Sequence, residues 1–426
     1  MSDVARPAPS RGSLREAAAD PAVRVAVGVT MVTMLGFGLI VPVLPLYARS
    51  FGVGPAEVGL LNTTFALARL AFDLVAGPLA DRFGERRMAT FGSVVVGVSS
   101  VLAAVAPSFG LLVLFRALGG AGSSILFAAL MSYLIHSVPP NRMARTMSFF
   151  FASFLLGTGL GQPIGGLIAE AFGLASPLWF YAAACFISAG LTLRFLSDAV
   201  RPAHEHPPAG TPAEVLATAE GPVAAAWGRA RALLRIPGFA TALAANAVLF
   251  WVLGSVRLTL VPLFARDEVG LSEAGIGLVL GAAAAGQLAV MWRGGTTADV
   301  RGRKAALVPG LAGLVGVVAI LGLATEPWSL ALTLAALGVA SGFAGVVPAA
   351  IVADVAPKRS SGAAVGLFRF AGDVGFVLGP AITGLVADLG GFAMAFAAAA
   401  VPIVFVLAAA IRMPETLRRT AERTAG

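Results

Sequence analysis

Two pairs of opposite charges lie inside apolar segments of this chain. Arg69 and Asp73 form the first pair, and Arg369 and Asp373 form the second. A spacing of four residues places both members of a pair on one face of a helix. A charge at the centre of a bilayer costs at least ~2.5 kcal/mol on insertion scales, so such residues face protein or water and have partners. A carboxylate beside an arginine predicts proton binding and release, because the neighbouring charge shifts the carboxylate's pKa.

The composition places these segments in a membrane. Of the 426 residues, 58% are hydrophobic, 12% are charged and 51 are glycine, which is more apolar side chain than a soluble protein of this size can bury. The net charge of +8 comes from arginines scattered between apolar segments, which argues against nucleic-acid binding and indicates membrane orientation. The single cysteine, Cys185, excludes a disulfide framework and a thiolate metal site. His204 and His206 lie in a proline-rich stretch and are interpreted as solvated, so no metal or cofactor is expected.

Apolar segments of roughly 20 residues, the length of a transmembrane helix, occur twelve times. Only Arg49 and Arg266 fall in loops on one side, whereas most of the 30 Lys and Arg lie in the termini and the loops of the other side. The positive-inside rule therefore predicts a multi-pass inner-membrane protein with both termini cytoplasmic. The predicted spans are 22–48, 57–79, 89–107, 109–134, 146–170, 176–196, 238–264, 273–293, 305–324, 327–353, 362–388 and 391–411.

The second half of the chain repeats the first at an offset of 218 residues. PLYAR at 45–49 also returns as PLFAR at 262–266, one residue out of step. One offset shared by separate motifs predicts an all-α integral membrane protein with two pseudo-symmetric six-helix bundles in parallel orientation. The pairs at this offset are Gly77 with Gly295, Asp81 with Asp299, Gly84 with Gly302, Arg86 with Lys304, Gly157 with Gly375, Gly161 with Gly379, and Gly166 with Gly384.

The repeat defines the predicted organisation of the chain. It consists of a cytoplasmic tail at 1–21, a bundle at 22–196, a cytoplasmic linker at 197–237, a second bundle at 238–411 and a cytoplasmic tail at 412–426. Trp227 and Leu233, which lie among arginines in the linker, predict an interfacial helix.

The loop after the second span, GPLADRFGERR at 77–87, concentrates charge between two apolar segments. Together with the twelve spans, the repeat and the long central loop, it resembles the major facilitator superfamily across essentially the whole chain. GTTADVRGRK at 295–304 is its second copy, and Glu85 departs from the family pattern, which has a basic residue there. The motif positions are Gly77, Asp81, Arg82, Gly84, Arg86, Asp299 and Gly302.

Asp81 has two interpretations. A carboxylate at the membrane surface can accept hydrogen bonds from the free amides at the start of a facing helix, where the dipole is positive. That contact predicts a cytoplasmic latch between the halves. Alternatively, Arg82, Arg86 and Arg87 only anchor the loop on the inner side.

Two further motifs resemble the drug:proton antiporter-like branch of the family. LFRALGGAG at 114–122 places Arg116 before a run of glycines, where it is predicted to position an anionic group or modulate the carboxylates, or to pair with backbone carbonyls. GTGLGQPIGG at 157–166 and its closer copy GFVLGPAITG at 375–384 predict a rocking seam or, alternatively, ordinary tight packing. The predicted residues are Gly157, Gly161, Gln162, which replaces a proline of the pattern, Pro163, Gly165, Gly166, Gly375, Gly379 and Pro380.

The resemblance implies that spans two and eleven meet between the halves. At 1.5 Å per residue, Asp73 lies ~12 Å and Arg69 ~18 Å from the cytoplasmic end, and Arg369 lies ~9 Å and Asp373 ~15 Å from it. Since the two spans run in opposite directions, Arg69 comes level with Asp373 and Asp73 with Arg369. We predict a crossed network or, alternatively, two independent pairs within the helices. The first span has no acidic residue, so Asp73 and Asp373 are the proton-coupling candidates.

The resemblance also implies that spans one, four, seven and ten line the substrate pathway. Their methionine and aromatic side chains offer an adaptable apolar lining or, alternatively, serve in packing. The scarcity of polar groups argues against a sugar as substrate. The candidates are Met34, Phe37, Phe127, Asn246, Phe250, Trp251 and Phe343.

These features predict a secondary active transporter and not an enzyme. The expectation is proton-coupled efflux of lipophilic or amphipathic small molecules by a monomer in the lipid bilayer. No phosphate-binding Gly-Lys-Ser/Thr motif supports primary transport. A metabolite uptake permease or uniporter is the alternative within transport, and a non-transporting membrane sensor or lipid-handling protein is the alternative of another class. The resemblance in fold carries most of this expectation.

Overall fold

The protein is built from α-helices. The computed structural model describes residues 21–138, 140–196, 231–356 and 361–417, and no β-strand occurs in these ranges. Ten helices there are long and apolar enough to cross a membrane. His204, His206 and Trp227 lie outside the described residues. Leu233, at the end of the predicted linker, is buried in the apolar core.

The helices follow the predicted spans along the chain. In the first half they are α1 (Pro21–Ile40), α2 (Leu44–Arg49), α3 (Pro55–Phe83), α4 (Glu85–Ala104), α5 (Phe109–Ser137), α6 (Pro140–Phe172) and α7 (Ser176–Phe195). In the second half they are α8 (Phe239–Trp251), a π-helical segment (Val252–Leu260), α9 (Val261–Asp267), α10 (Glu273–Val300), α11 (Arg303–Ile320) with a 3₁₀ turn (Leu321–Leu323), α12 (Pro327–Gly345), α13 (Val347–Val355) and α14 (Ser361–Arg412).

Helix α14 contains two arms of membrane length. It has 52 residues, and Gly391 interrupts it with φ 75° and ψ 178°. Helix α3, which carries Arg69 and Asp73, adds a further helix of 29 residues. With α3 and the two arms of α14, the described helices are consistent with the twelve predicted spans, and the predicted all-α membrane fold is confirmed.

Three predicted spans are not uninterrupted α-helices. The first, 22–48, breaks in a turn at 41–43, the seventh, 238–264, contains the π-helical segment, and the tenth, 327–353, breaks at Val346. Proline lies in or just after each irregularity, where it lacks the N–H that continues the helical ladder and its ring clashes with the preceding turn. The prolines are Pro42, Pro45, Pro262 and Pro348.

The helices pack in two groups that correspond to the two halves of the chain. In the first, α1 packs against α6 and α7, and α5 packs against α3 and α4. In the second, α14 packs against α8 and α11, and α12 packs against α10 and α11. The main contacts between the halves are α3 with α14 and α6 with α10. With twelve crossings both chain ends lie on one side, the terminal side, and α3 and α10 begin on the opposite side, the far side.

The backbone repeats at the same offset of 218 residues as the sequence. Pro55 and Glu273, which begin α3 and α10, are separated by this offset. Only glycine adopts a positive φ readily, so shared positive-φ turns are a specific sign of shared backbone geometry. Among the described residues, six of the seven glycines with positive φ form such pairs: Gly52 with Gly270, Gly84 with Gly302, and Gly173 with Gly391.

One repeated contact has its charges reversed. In the first half, buried Glu85 at the start of α4 lies 3.2 Å from Nδ1 of His136 on α5. In the second half, Nε of Arg303 at the start of α11 lies 2.8 Å from Oδ2 of Asp354 on α13. Glu85 and Arg303 occupy equivalent repeat positions, and so do His136 and Asp354. Glu85 therefore departs from the family pattern together with its partner, which is a histidine where the second half has an aspartate.

The second copy of the loop motif is held by a carboxylate outside the motif. Glu415, just after α14, accepts hydrogen bonds from the N–H groups of Arg303 (2.8 Å) and Lys304 (3.1 Å) at the start of α11. It also accepts from the N–H groups of Thr416 and Leu417. Burial raises the pKa of Glu415, but these four donors lower it more, so the pKa lies below its usual value.

We predict that Glu415 stabilises the protein at neutral pH and not in strong acid. Since its folded-state pKa lies below the ordinary value of 4.5, the stabilisation is complete above that value, declines below it, and is lost as the pH falls through the lowered pKa. Glu415→Gln should lower the Tm of the purified protein at neutral pH by a few degrees. Glu268→Gln, at an exposed glutamate, is the matched control. A Tm difference from wild type that stays constant from neutral to acidic pH would contradict the prediction.

Candidate functional site

Helix α3 and the first arm of α14 cross between the halves and bring polar side chains together. Asn62 of α3 donates from Nδ2 to Oγ1 of Thr259 (3.0 Å) and to the carbonyl oxygen of Leu258 (3.3 Å) in the π-helical segment. Thr63 donates from Oγ1 to the carbonyl oxygen of Val377 on α14 (2.7 Å). These bonds join the halves on the far-side part of the crossing.

Further along the same helices, four charged residues form two ion pairs in the crossed sense. Nη2 of Arg69 lies 2.5 Å from Oδ1 of Asp373, and Nη2 of Arg369 lies 3.5 Å from Oδ2 of Asp73. Ser124 of α5 also donates a hydrogen bond to Asp73. The described ion pairs therefore run between the helices, and each joins one half of the protein to the other.

The two carboxylates differ in their surroundings. The side chain of Asp373 is 6% exposed and has the closer arginine, whereas the side chain of Asp73 is 20% exposed and its partner Arg369 is 59% exposed. A buried charge that loses its partner is strongly destabilising, whereas an exposed pair is screened by water. Gain or loss of a proton at Asp373 would thus change the contact between the halves more than the same event at Asp73.

Arg116 of α5 has no described hydrogen bond or ion pair to these four residues. It is buried, and its guanidinium lies 4.7 Å from the ring centroid of Phe65 on α3. It borders a narrow cavity together with Phe37, Asn62 and, from the second half, Phe376. The structure thus brings together four of the five predicted intramembrane charges and leaves the fifth apart.

One face of each glycine-rich segment packs against the first long helix of its own half. A side chain added at Gly157 would approach the carbonyl oxygen of Met31 on α1 to 2.9 Å. One added at Gly379 would approach the carbonyl oxygen of Trp251 on α8 to 3.0 Å. The other glycines that face these helices are Gly161 and Gly165 towards α1, and Gly375 towards α8.

The opposite face of each segment forms the boundary between the halves. A side chain added at Gly277 of α10 would lie 2.6 Å from the carbonyl oxygen of Gln162, and one at Gly281 would lie 2.7 Å from Cγ of Pro163. The remaining contacts follow the repeat: Gly59 of α3 faces Pro380, Gly166 faces Glu273 at the start of α10, and Gly384 faces Pro55 at the start of α3.

Two carboxylates close the far ends of these boundaries. Glu170, near the end of α6, accepts a hydrogen bond from the N–H of Ala274 in the first turn of α10 (3.0 Å). Asp388, near the end of the first arm of α14, accepts one from the N–H of Ala56 in the first turn of α3 (2.9 Å). Free N–H groups and the helix dipole favour an anion at both positions. Donors and acceptors are each 218 residues apart, so one cap occurs twice by pseudo-symmetry.

The far side of the protein is therefore closed. An ion pair between Arg49 and Asp267 (3.3 Å) adds to the two caps there. The hydrogen bonds and ion pairs named above that join the halves all lie between the far side and the level of Asp73 and Arg369.

The predicted pathway residues lie in different surroundings. Phe37 borders the cavity and stacks on Phe65 with ring centroids 6.5 Å apart. Asn246 donates to the carbonyl oxygen of Phe368 (2.8 Å), and Nε1 of Trp251 donates to that of Ala399 (3.2 Å), so both are engaged inside the second half. The remaining candidates are buried or half-buried among apolar side chains: Met34, Phe127, Phe250 and Phe343.

The first copy of the loop motif lies at the turn between α3 and α4. Gly84 has φ 89° there, and the exposed guanidinium of Arg82 lies 5.4 Å from the ring centroid of Phe83. In the second copy, Asp299 pairs with Arg303 on its own helix-turn-helix segment. The side chain of Asp81 lies outside the described part of the chain, so the latch stays a prediction.

Sequence reasoning missed the two far-side caps and the role of Asn62. Glu170 and Asp388 are both acidic and are separated by the repeat offset, so a search of that offset for carboxylates near helix ends would have found them. Asn62 has no equivalent signal, because its partners lie in a π-helical segment that the apolar pattern did not reveal.

Comparison with known proteins agrees with this architecture. The family model of the Major Facilitator Superfamily matches residues 26–267 and 247–425. An uncharacterized MFS-type transporter of Methanocaldococcus jannaschii is 31% identical over 172 residues, which are 40% of this chain and 44% of that protein. Quinolone resistance protein NorA of Staphylococcus aureus is 32% identical over 136 residues, which are 32% of this chain and 35% of that protein. The matched segments thus span less than half of these relatives.

Solved structures share the fold at low sequence identity. The human organic anion transporter MFSD10 has a TM-score of 0.66 and 17% identity, over 92% of this chain and 99% of that one. The nucleoside transporter NupG has a TM-score of 0.68 and 13% identity, over 92% of this chain and 98% of that one. A bacterial homologue of the human lysosomal transporter Spinster, in an inward-facing conformation, has a TM-score of 0.70 and 17% identity over 92% of this chain and 95% of that one.

We predict that Arg69 and Asp373 depend on each other for stability. Arg69→Leu or Asp373→Leu alone leaves a buried charge unpaired and should cost roughly 3–5 kcal/mol, whereas the double substitution and the charge swap Arg69→Asp with Asp373→Arg should recover folded protein. A double-mutant cycle on thermal stability measures the coupling. The same cycle on Asp73 and Arg369, which are more exposed, is the control and should give a smaller coupling. Additive losses in the first cycle would show that the two charges are satisfied separately.

We also predict that the two caps hold the far side closed. Glu170→Gln and Asp388→Asn keep the shape of the side chains but remove the charge at a helix N-terminus, worth roughly 0.5–2 kcal/mol for a capping side chain. In a Cys185→Ser background, a cysteine at Val41, which lines the narrow cavity, should react several-fold faster with a membrane-impermeant maleimide from the far side. Combining both substitutions should increase the rate further. Unchanged labelling in the double variant, matching Glu268→Gln, would count against the caps as gates.

Proposed function

This chain belongs to the major facilitator superfamily, and from that premise we propose that it exports lipophilic or amphipathic small molecules in exchange for protons. The observation that supports coupling is the buried ion pair of Arg69 with Asp373 between the halves. A contact that both joins the halves and titrates can link proton binding to their relative movement. The protein is then a secondary active transporter and not an enzyme.

In this proposal the two halves, 22–196 and 238–411, rock as units about the substrate pathway. Both termini and the linker lie in the cytoplasm, because the termini and the loops of that side carry most of the arginines. The far side is then extracellular, and the described conformation is the one that faces the cytoplasm. In this conformation the caps at Glu170 and Asp388 and the Arg69–Asp373 pair are all formed.

The proposed cycle uses Asp373 as the proton carrier. Substrate binding from the cytoplasm offsets the cost of separating Asp373 from Arg69, and the far side opens. Asp373 then takes a proton from outside as substrate leaves, so the halves return without a charged carboxylate in the boundary. Loss of that proton to the cytoplasm restores the ion pair. Asp73, held by Ser124 and more loosely by Arg369, is the second candidate carrier.

The substrate class follows from the apolar character of the pathway. Phe37 and Phe65 border the cavity, whose lining is mainly aromatic and aliphatic, and such linings suit lipophilic ligands. The similarity of one segment to a quinolone resistance protein supports export over uptake.

We predict that Asp373→Asn abolishes uphill transport and retains part of the downhill exchange, because only proton exchange is lost. The protein is reconstituted in liposomes, a pH gradient is imposed, and movement of lipophilic dyes of either charge is followed. Glu268→Gln, an equally neutral substitution at an exposed residue, should transport at the wild-type rate. Gradient-driven accumulation by Asp373→Asn would move the carrier role to Asp73. Transport by wild type that ignores the pH gradient would indicate a uniporter.

A further inference from the structure

The interior of the protein holds more positive than negative charge. Four arginines lie in the middle of the described spans, but only Asp73 and Asp373 face them as ion-pair partners. Arg257 donates from Nη1 to the neutral Oε1 of Gln287 (2.9 Å). Arg116 has no carboxylate partner among the described residues. The four arginines are Arg69, Arg116, Arg257 and Arg369.

Arg116 is the least compensated of these cations. Its side chain is 2% exposed, and its Nε and Nη1 have no hydrogen-bond partner in the described part of the protein. The ring of Phe65 offers only its face, at 4.7 Å from the guanidinium carbon. A buried guanidinium with unused donors is costly, because neither water nor a counter-ion replaces its hydration. An anion supplied from outside the chain would remove that cost.

The cavity beside Arg116 has the shape and chemistry of a small anionic site with an aromatic wall. Phe37 stacks on Phe65 at 6.5 Å and meets Tyr181 edge-on at 6.3 Å. Phe37, Phe65 and Arg116 line the cavity, and the space between them admits about one water-sized group in this conformation. One guanidinium and little room suit a monovalent head such as a carboxylate, since a phosphate dianion calls for more donors.

The cavity also lies between the halves. Asn62 and Arg116 come from the first half, and Leu258 and Phe376 come from the second. An occupant therefore contacts both halves at once, on the far side of the Arg69–Asp373 pair.

We infer that Arg116, with the aromatic cluster of Phe37, Phe65 and Tyr181, is the subsite for the carboxylate head of an aromatic or lipophilic monoanion. This inference rests on the proposed transport function, because it names the substrate class within it. The guanidinium binds the carboxylate, and the aromatic rings receive the apolar body. A neutral molecule of the same shape leaves the Arg116 donors unused and binds more weakly.

The test compares 2-naphthoate with 2-naphthamide, which has the same ring system without the charge. Binding to the purified full-length protein is measured at neutral pH by calorimetry and by the increase in Tm that a ligand of the folded state produces. Wild type should bind the carboxylate at least about tenfold more tightly than the amide. Arg116→Gln should lose that preference while its affinity for the amide stays unchanged, and Arg116→Lys should retain part of it because a lysine keeps the charge but not the forked geometry.

The matched control is Arg194→Gln, which removes an exposed arginine that also lies over a phenylalanine ring, at 5.3 Å from Phe195. It should keep the wild-type preference. Equal affinity of wild type for the two probes, absence of 2-naphthoate binding, or a carboxylate preference that survives in Arg116→Gln would each overturn the subsite. If Arg116→Gln does not fold, the wild-type comparison and Arg116→Lys still decide.

Liposome transport separates this inference from the function on which it rests. Binding of 2-naphthoate through Arg116 without proton-driven movement of any probe would reject the transport function and keep the subsite. Proton-driven movement of lipophilic dyes with no carboxylate preference would keep the function and reject the subsite.

Discussion

A charge inside a bilayer needs an opposite charge or water beside it, and in this protein that need is met across the boundary between the halves. Arg69 finds Asp373 on the other half, and Asp73 finds Arg369 there. Because each partner belongs to a different half, the halves cannot separate at this level without exposing a charge to a poor solvent. Movement of the halves and compensation of charge are therefore one process, and any step that neutralises Asp373 lowers the barrier to both.

The ion pairs depend on how closely the helix backbones approach. Gly277 lies against Gln162 and Gly281 against Pro163, with no room for a larger side chain at either glycine. Contacts of this kind bring helices together without a hydrophobic driving force, which is absent between apolar helices in lipid. The caps at Glu170 and Asp388 then add directional hydrogen bonds where the helices reach the far surface. Tight apolar packing in the middle is thus combined with weaker polar contacts at the edge, which water can replace when the far side opens.

The features that were predictable from the sequence are those that scale simply with residue number. Depth grows by a fixed rise per residue, so the levels of Arg69 and Asp373 followed once the two helices were known to meet in opposite directions. The directions of Trp251 and Asn246 did not follow, because a helix that is apolar all round gives no periodic signal for which face meets the pathway. The break at 41–43 and the π-helical segment were also missed, since apolar spans were read as continuous despite Pro42 and Pro262.

The reversed pair at the loop motif has a consequence for biogenesis. The first half leaves the insertion machinery before the second, and the two halves are similar enough in backbone for one to accept a helix of the other. If α4 were to pair with α13 instead of α5, Glu85 would meet Asp354, and two carboxylates would face each other near the membrane surface. If α11 were to pair with α5, Arg303 would meet His136. Each pairing is favourable only within its own half, so charge reversal disfavours exchange of helices between repeats and between neighbouring copies of the protein.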